Sequence, residues 1–119
     1  MRRLLCLLCC LPGLMPAAAL AATLELKDGD RVVLVGNAVI ERDAAHGYLE
    51  TLLTCRYPDR TITVRNLGWS GDDITGRARA GFDPPSAGFP RLVEHVAALK
   101  PSVVLVGYGA NEAFDGGAG

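Results

Sequence analysis

The sequence predicts an α/β domain built on a parallel sheet, and three observations carry that expectation. Residues 32–35 and 103–106 both read Val-Val-Leu-Val, apolar at every position, as strands buried on both faces are. Residues 61–67, Thr-Ile-Thr-Val-Arg-Asn-Leu, are β-branched and alternating, the pattern of a third strand. The segments between them carry apolar residues at helical spacing. Strands that alternate with helices call for right-handed crossovers and hence parallel pairing.

Each element has its own local signature. Residues 23–26 alternate, and Lys-Asp-Gly-Asp at 27–30 is a turn. Arg31 leads into the first strand, and Gly36 opens a loop. From about residue 44 to 56, Tyr48, Leu49, Leu52, Leu53 and Cys55 recur at helical spacing, with Asp43 as cap and His46 in the first turn. Pro58 stops that helix. After the second strand, Gly-Trp-Ser-Gly-Asp-Asp at 68–73 is a loop, with Asp72 or Asp73 suited to cap a short helix through Ala80. Residues 81–88 are irregular by their prolines and glycines. Leu92, Val93, Val96 and Leu99 mark a helix over 89–100, ended by Pro101. The third strand reads as fully buried, and 107–119 as loop.

At 119 residues the chain is one domain, and 50% hydrophobic composition suffices for a core. A formal charge of −1 gives no electrostatic case for nucleic acid. The N-terminus has the three regions of a signal peptide: Arg2 and Arg3, an apolar run over 4–15, and small residues over 16–22. That run is short and broken by Pro12 and Gly13, so it spans a bilayer poorly. Residues 1–21 therefore read as a cleaved export signal, with an uncleaved anchor as the alternative, and 22–119 as the exported part, periplasmic or secreted. No membrane span is expected after cleavage. Losing Arg2 and Arg3 takes the formal charge from −1 to −3. Cys6, Cys9 and Cys10 fall in the signal, leaving Cys55 without an internal disulfide partner. Its neighbours Leu52, Leu53 and Tyr57 suggest a buried, inert thiol.

The chain ends in glycine-rich sequence just after its third strand, which would leave an apolar sheet edge open. A fragment lacking its C-terminal part is the expectation; a complete miniature domain is the alternative.

Several chemistries are excluded. Gly36 has no second or third glycine behind it, so no dinucleotide loop is present, and no Gly-Lys-Ser/Thr phosphate loop occurs. Gly68-Trp69-Ser70-Gly71 approaches a serine elbow, but Asp72 stands where the second glycine belongs. Ser70 reads as a loop hydroxyl, with nucleophile as the alternative. His46 and His95 are isolated, and no Cys/His/Asp cluster suggests a metal. No cofactor is implied.

Three loops remain at the carboxyl ends of the strands, where parallel sheets bind ligands. They are Gly36-Asn37-Ala38, Asn66 with Gly68-Trp69-Ser70-Gly71-Asp72, and Gly107-Tyr108-Gly109-Ala110-Asn111-Glu112. Together they resemble the SGNH hydrolases, the GDSL-type esterases, over essentially the whole of 22–119. The resemblance implies a flavodoxin-like parallel sheet with helices on both faces, and ester hydrolysis of acylated carbohydrates or lipids. It implies oxyanion-hole roles for Gly71, through its backbone N–H, and for Asn111, through its side chain. It places the nucleophile at Ala38, which has no oxygen, so acyl-enzyme chemistry cannot start there. The family's C-terminal Asp-x-x-His has no counterpart after the third strand. Asp43-Ala44-Ala45-His46 has that spacing but comes after the first strand, and reads as a helix start, with a catalytic pair as the alternative.

The expected role is thus an SGNH-hydrolase-like domain of an exported protein, inactive alone; the alternative is a non-catalytic module binding an acyl group or carbohydrate. A small-molecule ester or saccharide is the implied ligand, and oligomeric state is not legible. Expression in a bacterial host with N-terminal sequencing of the exported product tests the signal: a mature chain beginning at Ala22 is expected, and retention of Met1 in that product would refute cleavage.

Overall fold

A computed structural model describes residues 23–115; residues 1–22, on which the expected export signal falls, and residues 116–119 lie outside them. Its elements are β1 (Arg31–Gly36), α1 (Ala38–Asp43), α2 (Tyr48–Arg56), β2 (Thr63–Gly68), α3 (Gly88–Leu99), β3 (Val103–Gly107) and α4 (Ala110–Asp115). Short 3-10 turns at Arg77–Ala80 and Pro85–Ala87 lie between β2 and α3. The strand order is β2-β1-β3 and both pairings are parallel. This is the flavodoxin-like order, in which the chain reverses direction across the sheet at β1 and β3.

The central place of β1 explains its unbroken apolar run. Its residues alternate between faces, and each face has its own core. Val32 and Leu34 pack with Leu26, Leu53 and Val64, with Leu49 of α2 behind them. Val33 and Val35 pack with Leu92, backed by Val96 and Leu99 of α3. Helices therefore cover both faces, and Val32 to Val35 are each no more than 4% exposed.

The identical run in β3 has a different fate. It pairs with β1 alone, and its residues alternate between half-buried and exposed, Val104 at 42% and Val106 at 66%. The expectation of full burial is corrected here: composition is the same, but β3 lies at the edge of the sheet. Val103 and Leu105 reach the first core, while the other side of the strand stays open.

Other boundaries move for local reasons. The loop expected after Gly36 is a single residue, because Asn37 is buried and its Oδ1 accepts the Val39 N–H at 3.1 Å, capping α1. The helix expected from residue 44 starts instead at Tyr48, after Gly47 at φ +65°. His46 is thus in the turn between α1 and α2, not in a first helical turn, and its ring stacks on Tyr48 at 5.4 Å. Asp43 closes α1, yet its Oδ1 accepts the Leu49 N–H at 3.2 Å, so it braces the start of α2 from six residues back. Cys55 is exposed rather than buried, because Leu53 is the residue that α2 buries. β2 begins at Thr63, since Thr61 is held to the preceding turn by Asp28. Residues 23–26 form no strand, although Leu26 is fully buried. The helix expected through Ala80 is only a 3-10 turn, and the expected loop after Gly107 contains α4.

Three glycines end the three strands in register: Gly36 opposite Gly68 on one side and Gly107 on the other. They let α1 lie directly on the strand ends. A Cβ on Gly68 would come within 2.2 Å of the Glu41 backbone nitrogen, and one on Gly36 within 2.5 Å of the Gly107 oxygen. Gly68→Ala therefore drives a methyl into backbone that cannot rotate aside. A loss of about 3 kcal/mol is expected in chemical denaturation; a variant as stable as the parent would show that α1 does not sit on this row.

Candidate functional site

The loop after β2 is organised by two adjacent aspartates that face opposite ways. Asp73 serves its own loop. Its Oδ1 accepts the Thr75 N–H at 2.9 Å, and its Oδ2 accepts Arg77 Nε and Nη2 at 3.1 and 2.8 Å. The Thr75 hydroxyl, and after it the Arg77 contacts, hold the Asp73 carboxyl below the usual range in spite of burial.

Asp72 turns inward and is fully buried. Its Oδ2 accepts Arg79 Nε at 2.7 Å and the Tyr108 hydroxyl at 2.8 Å. Arg79 is itself buried, donates through Nη2 to the Leu67 carbonyl at 2.6 Å, and lies over the Trp69 ring at 5.4 Å. Arg91 of α3 donates in turn to the Arg79 carbonyl at 3.0 Å. A chain of polar contacts thus runs from α3 through Arg79 and Asp72 to Tyr108 at the end of β3.

The same residue reaches the third loop through its backbone. Asn111 Nδ2 donates to the Asp72 carbonyl at 2.6 Å, from the first turn of α4 rather than from a loop. Glu112 adds two ties: Oε1 accepts the Ile74 N–H at 2.7 Å and Oε2 the Gly109 N–H at 2.8 Å. Its own backbone N–H, then that of Ile74, hold its carboxyl below the usual range. Between the two loops lies a cleft of about 420 Å³ lined by Gly71, Asp73, Arg77, Ala78, Asn111 and Phe114. Gly71 is exposed at φ +74° with open space where a side chain would stand.

Gly71 and Asn111 therefore share one cleft, and Ala38 is not in its lining. Ala38 is the half-buried first residue of α1. Ser70 is exposed and donates to the Glu41 carboxylate of α1, so its near partner is an acid, not a histidine. His46 and His95 are both exposed. His95 lines a separate groove with Trp69, Asn66 and Arg79. One carboxylate oxygen of Asp43 accepts the Leu49 N–H. Among the described residues no group of three or more His, Cys, Asp or Glu could hold a metal ion, and no helix is long and apolar enough to cross a membrane.

Reading the sequence misses Arg79, Tyr108 and the bracing role of Glu112. Arg79 carries no pattern that separates it from exposed Arg77. Tyr108 does come directly after a strand end, which is a usable signal.

No protein-family model matches the sequence, and no curated protein matches it. Among solved structures the fold is similar to that of a gut microbial diltiazem-metabolizing enzyme, at 26% identity and a TM-score of 0.51. The likeness covers 73% of this chain and 17% of that enzyme, so the chain spans about a sixth of its length.

The Tyr108 environment yields a pH signature. Burial, and next the Asp72 carboxylate, push the phenol up from 10.0 to about 12. The neutral phenol is thus favoured in the folded state, so its contribution is fully present below pH 10 and is lost as pH rises through 12. Following tyrosinate absorbance as the difference between the parent and Tyr108→Phe, the Tyr108 transition should come late, and Asp72→Asn should bring it down. A Tyr108 transition near pH 10 would contradict the Asp72–Tyr108 contact.

Proposed function

We propose that the chain is an SGNH-hydrolase-like domain of an exported protein, which holds the carbonyl oxygen of an acylated small molecule but runs no acyl-enzyme chemistry from Ala38. The observation that carries this reading is the shared cleft of Gly71 and Asn111, joined by the Asn111–Asp72 hydrogen bond. An ester or acyl carbonyl is best held by donors fixed before it arrives. Gly71 offers a backbone N–H that no side chain crowds. The Asn111 amide has two N–H groups; one anchors the loop, and the other is the one a ligand oxygen would take. The fold likeness to an enzyme that metabolises a small organic compound fits a small-molecule cleft on this scaffold.

The alternative, a non-catalytic module binding an acyl group or carbohydrate in a larger exported protein, is favoured by one set of placements. Ala38 has no hydroxyl, Ser70 pairs with Glu41, and both histidines are exposed outside the cleft. On either reading the covalent step of serine hydrolysis is absent from this chain.

A chromogenic assay with p-nitrophenyl acetate tests this directly. No turnover above buffer is expected for the parent chain. Turnover that disappears in Ser70→Ala would relocate the chemistry to the Ser70–Glu41 contact and overturn the proposal.

A further inference from the structure

Asp72 is the one residue that touches every part of the cleft's frame. Its backbone is joined directly to Gly71, and its carbonyl accepts Asn111 Nδ2 at 2.6 Å. Its carboxylate is fully buried and joins two groups from elsewhere in the chain: Arg79, which also caps the end of β2 at Leu67, and Tyr108, just past the end of β3. The loop after β2 is also tied at Ser70, to the Glu41 carboxylate, and at Ile74, to Glu112. Trp69, Ser70 and Gly71 are exposed, and Gly71 has nothing within 4 Å of its side-chain direction. The Gly71 N–H belongs to the Ser70–Gly71 peptide, the central peptide of a four-residue turn that Asp72 closes by donating its N–H to the Trp69 carbonyl at 3.1 Å, with Gly71 supplying the positive φ. Asp72 is the anchored end of that turn, its carboxylate pinned at one oxygen by a guanidinium and a phenol. Charge-assisted contacts of this kind hold geometry more firmly than neutral ones.

We propose that Asp72 is the positioning residue of the cleft, its buried carboxylate and its N–H holding closed the turn whose central peptide carries the Gly71 N–H, and its carbonyl fixing the Asn111 amide. This rests on the reading of Gly71 and Asn111 as an oxygen-binding pair. Asp72 itself does not line the cleft, so it acts through its neighbours. Its partners obey the same logic: Tyr108 and Arg79 act through Asp72.

The test compares Asp72→Asn, Tyr108→Phe and a core control, Val64→Ala, in amide-resolved NMR of the full chain, with sodium acetate and methyl acetate as probes. Val64 is buried against β1, away from the cleft, and its truncation lowers stability without touching the frame. Asp72→Asn is expected to shift the Gly71 backbone and Asn111 side-chain amides and to weaken the probes about tenfold. Tyr108→Phe, which keeps the Arg79 pair, should move the same two signals by less. Val64→Ala should leave both in place.

If Asp72→Asn does not fold, Tyr108→Phe decides by the same two signals. If the parent binds neither probe, the oxygen-binding reading fails, while the two amide signals still report on positioning. Unmoved Gly71 and Asn111 signals in a folded Asp72→Asn or Tyr108→Phe chain, or equal shifts in Val64→Ala, would overturn the proposal.

Discussion

The structure depends on a buried charge. Asp72 and Arg79 are withdrawn from water together, their side chains 0% and 2% exposed. Such a pair is expensive to bury and adds little net stability against an apolar replacement, but loss of one partner leaves the other stranded, at a cost of about 3–5 kcal/mol. Its value lies in specification. Arg79 also satisfies the Leu67 carbonyl at the end of β2, Asp72 also satisfies Tyr108 after β3, and the Asp72 backbone holds Asn111. Two stretches distant in sequence, 67–79 and 108–111, are thereby brought to one geometry at the carboxyl edge of the sheet. Hydrophobic packing cannot do this there, because Trp69, Ile74 and Phe114 are all exposed.

A second constraint acts beside the first and is purely steric. With glycine at the end of every strand, α1 rests on the sheet itself, Ile40 over Gly36 and Gly107 and Glu41 over Gly68. Asn37 starts that helix by capping it with its own side chain. Ala38 is consequently a residue of a closely packed helix start, and the open space of the site lies elsewhere, between the loops after β2 and β3. The carboxyl edge thus has two unlike parts: an end covered by α1, and an open cleft between the loops after β2 and β3.

The two Val-Val-Leu-Val runs show where local reading reaches its limit. In β1 the run predicts burial correctly, because strands flank it and helices lie on both faces. In β3 the same four residues have a paired strand on one side only. Cys55 makes the same point on a helix: its apolar neighbours suggested burial, but which side of α2 faces the sheet is a property of packing. Neighbouring aspartates are a third case. Asp72 and Asp73 are interchangeable as helix caps in sequence, and only the positions of Arg79 and Tyr108 send one inward.

By itself the sequence determined the parallel α/β class, the order of its strands and helices along the chain and the placing of three polar segments at the carboxyl ends of the strands. These rest on hydrophobic period and on the chirality of crossovers, which are local or nearly so. It also determined that Ala38 offers no nucleophile. Tertiary structure decided which strand is central, that Gly71 and Asn111 share a cleft which Ala38 does not line, and that Asp72, Arg79 and Tyr108 form its frame. Those depend on contacts between residues as far apart as Asp72 and Asn111, and no spacing in the chain encodes the distance at which a carbonyl meets an amide.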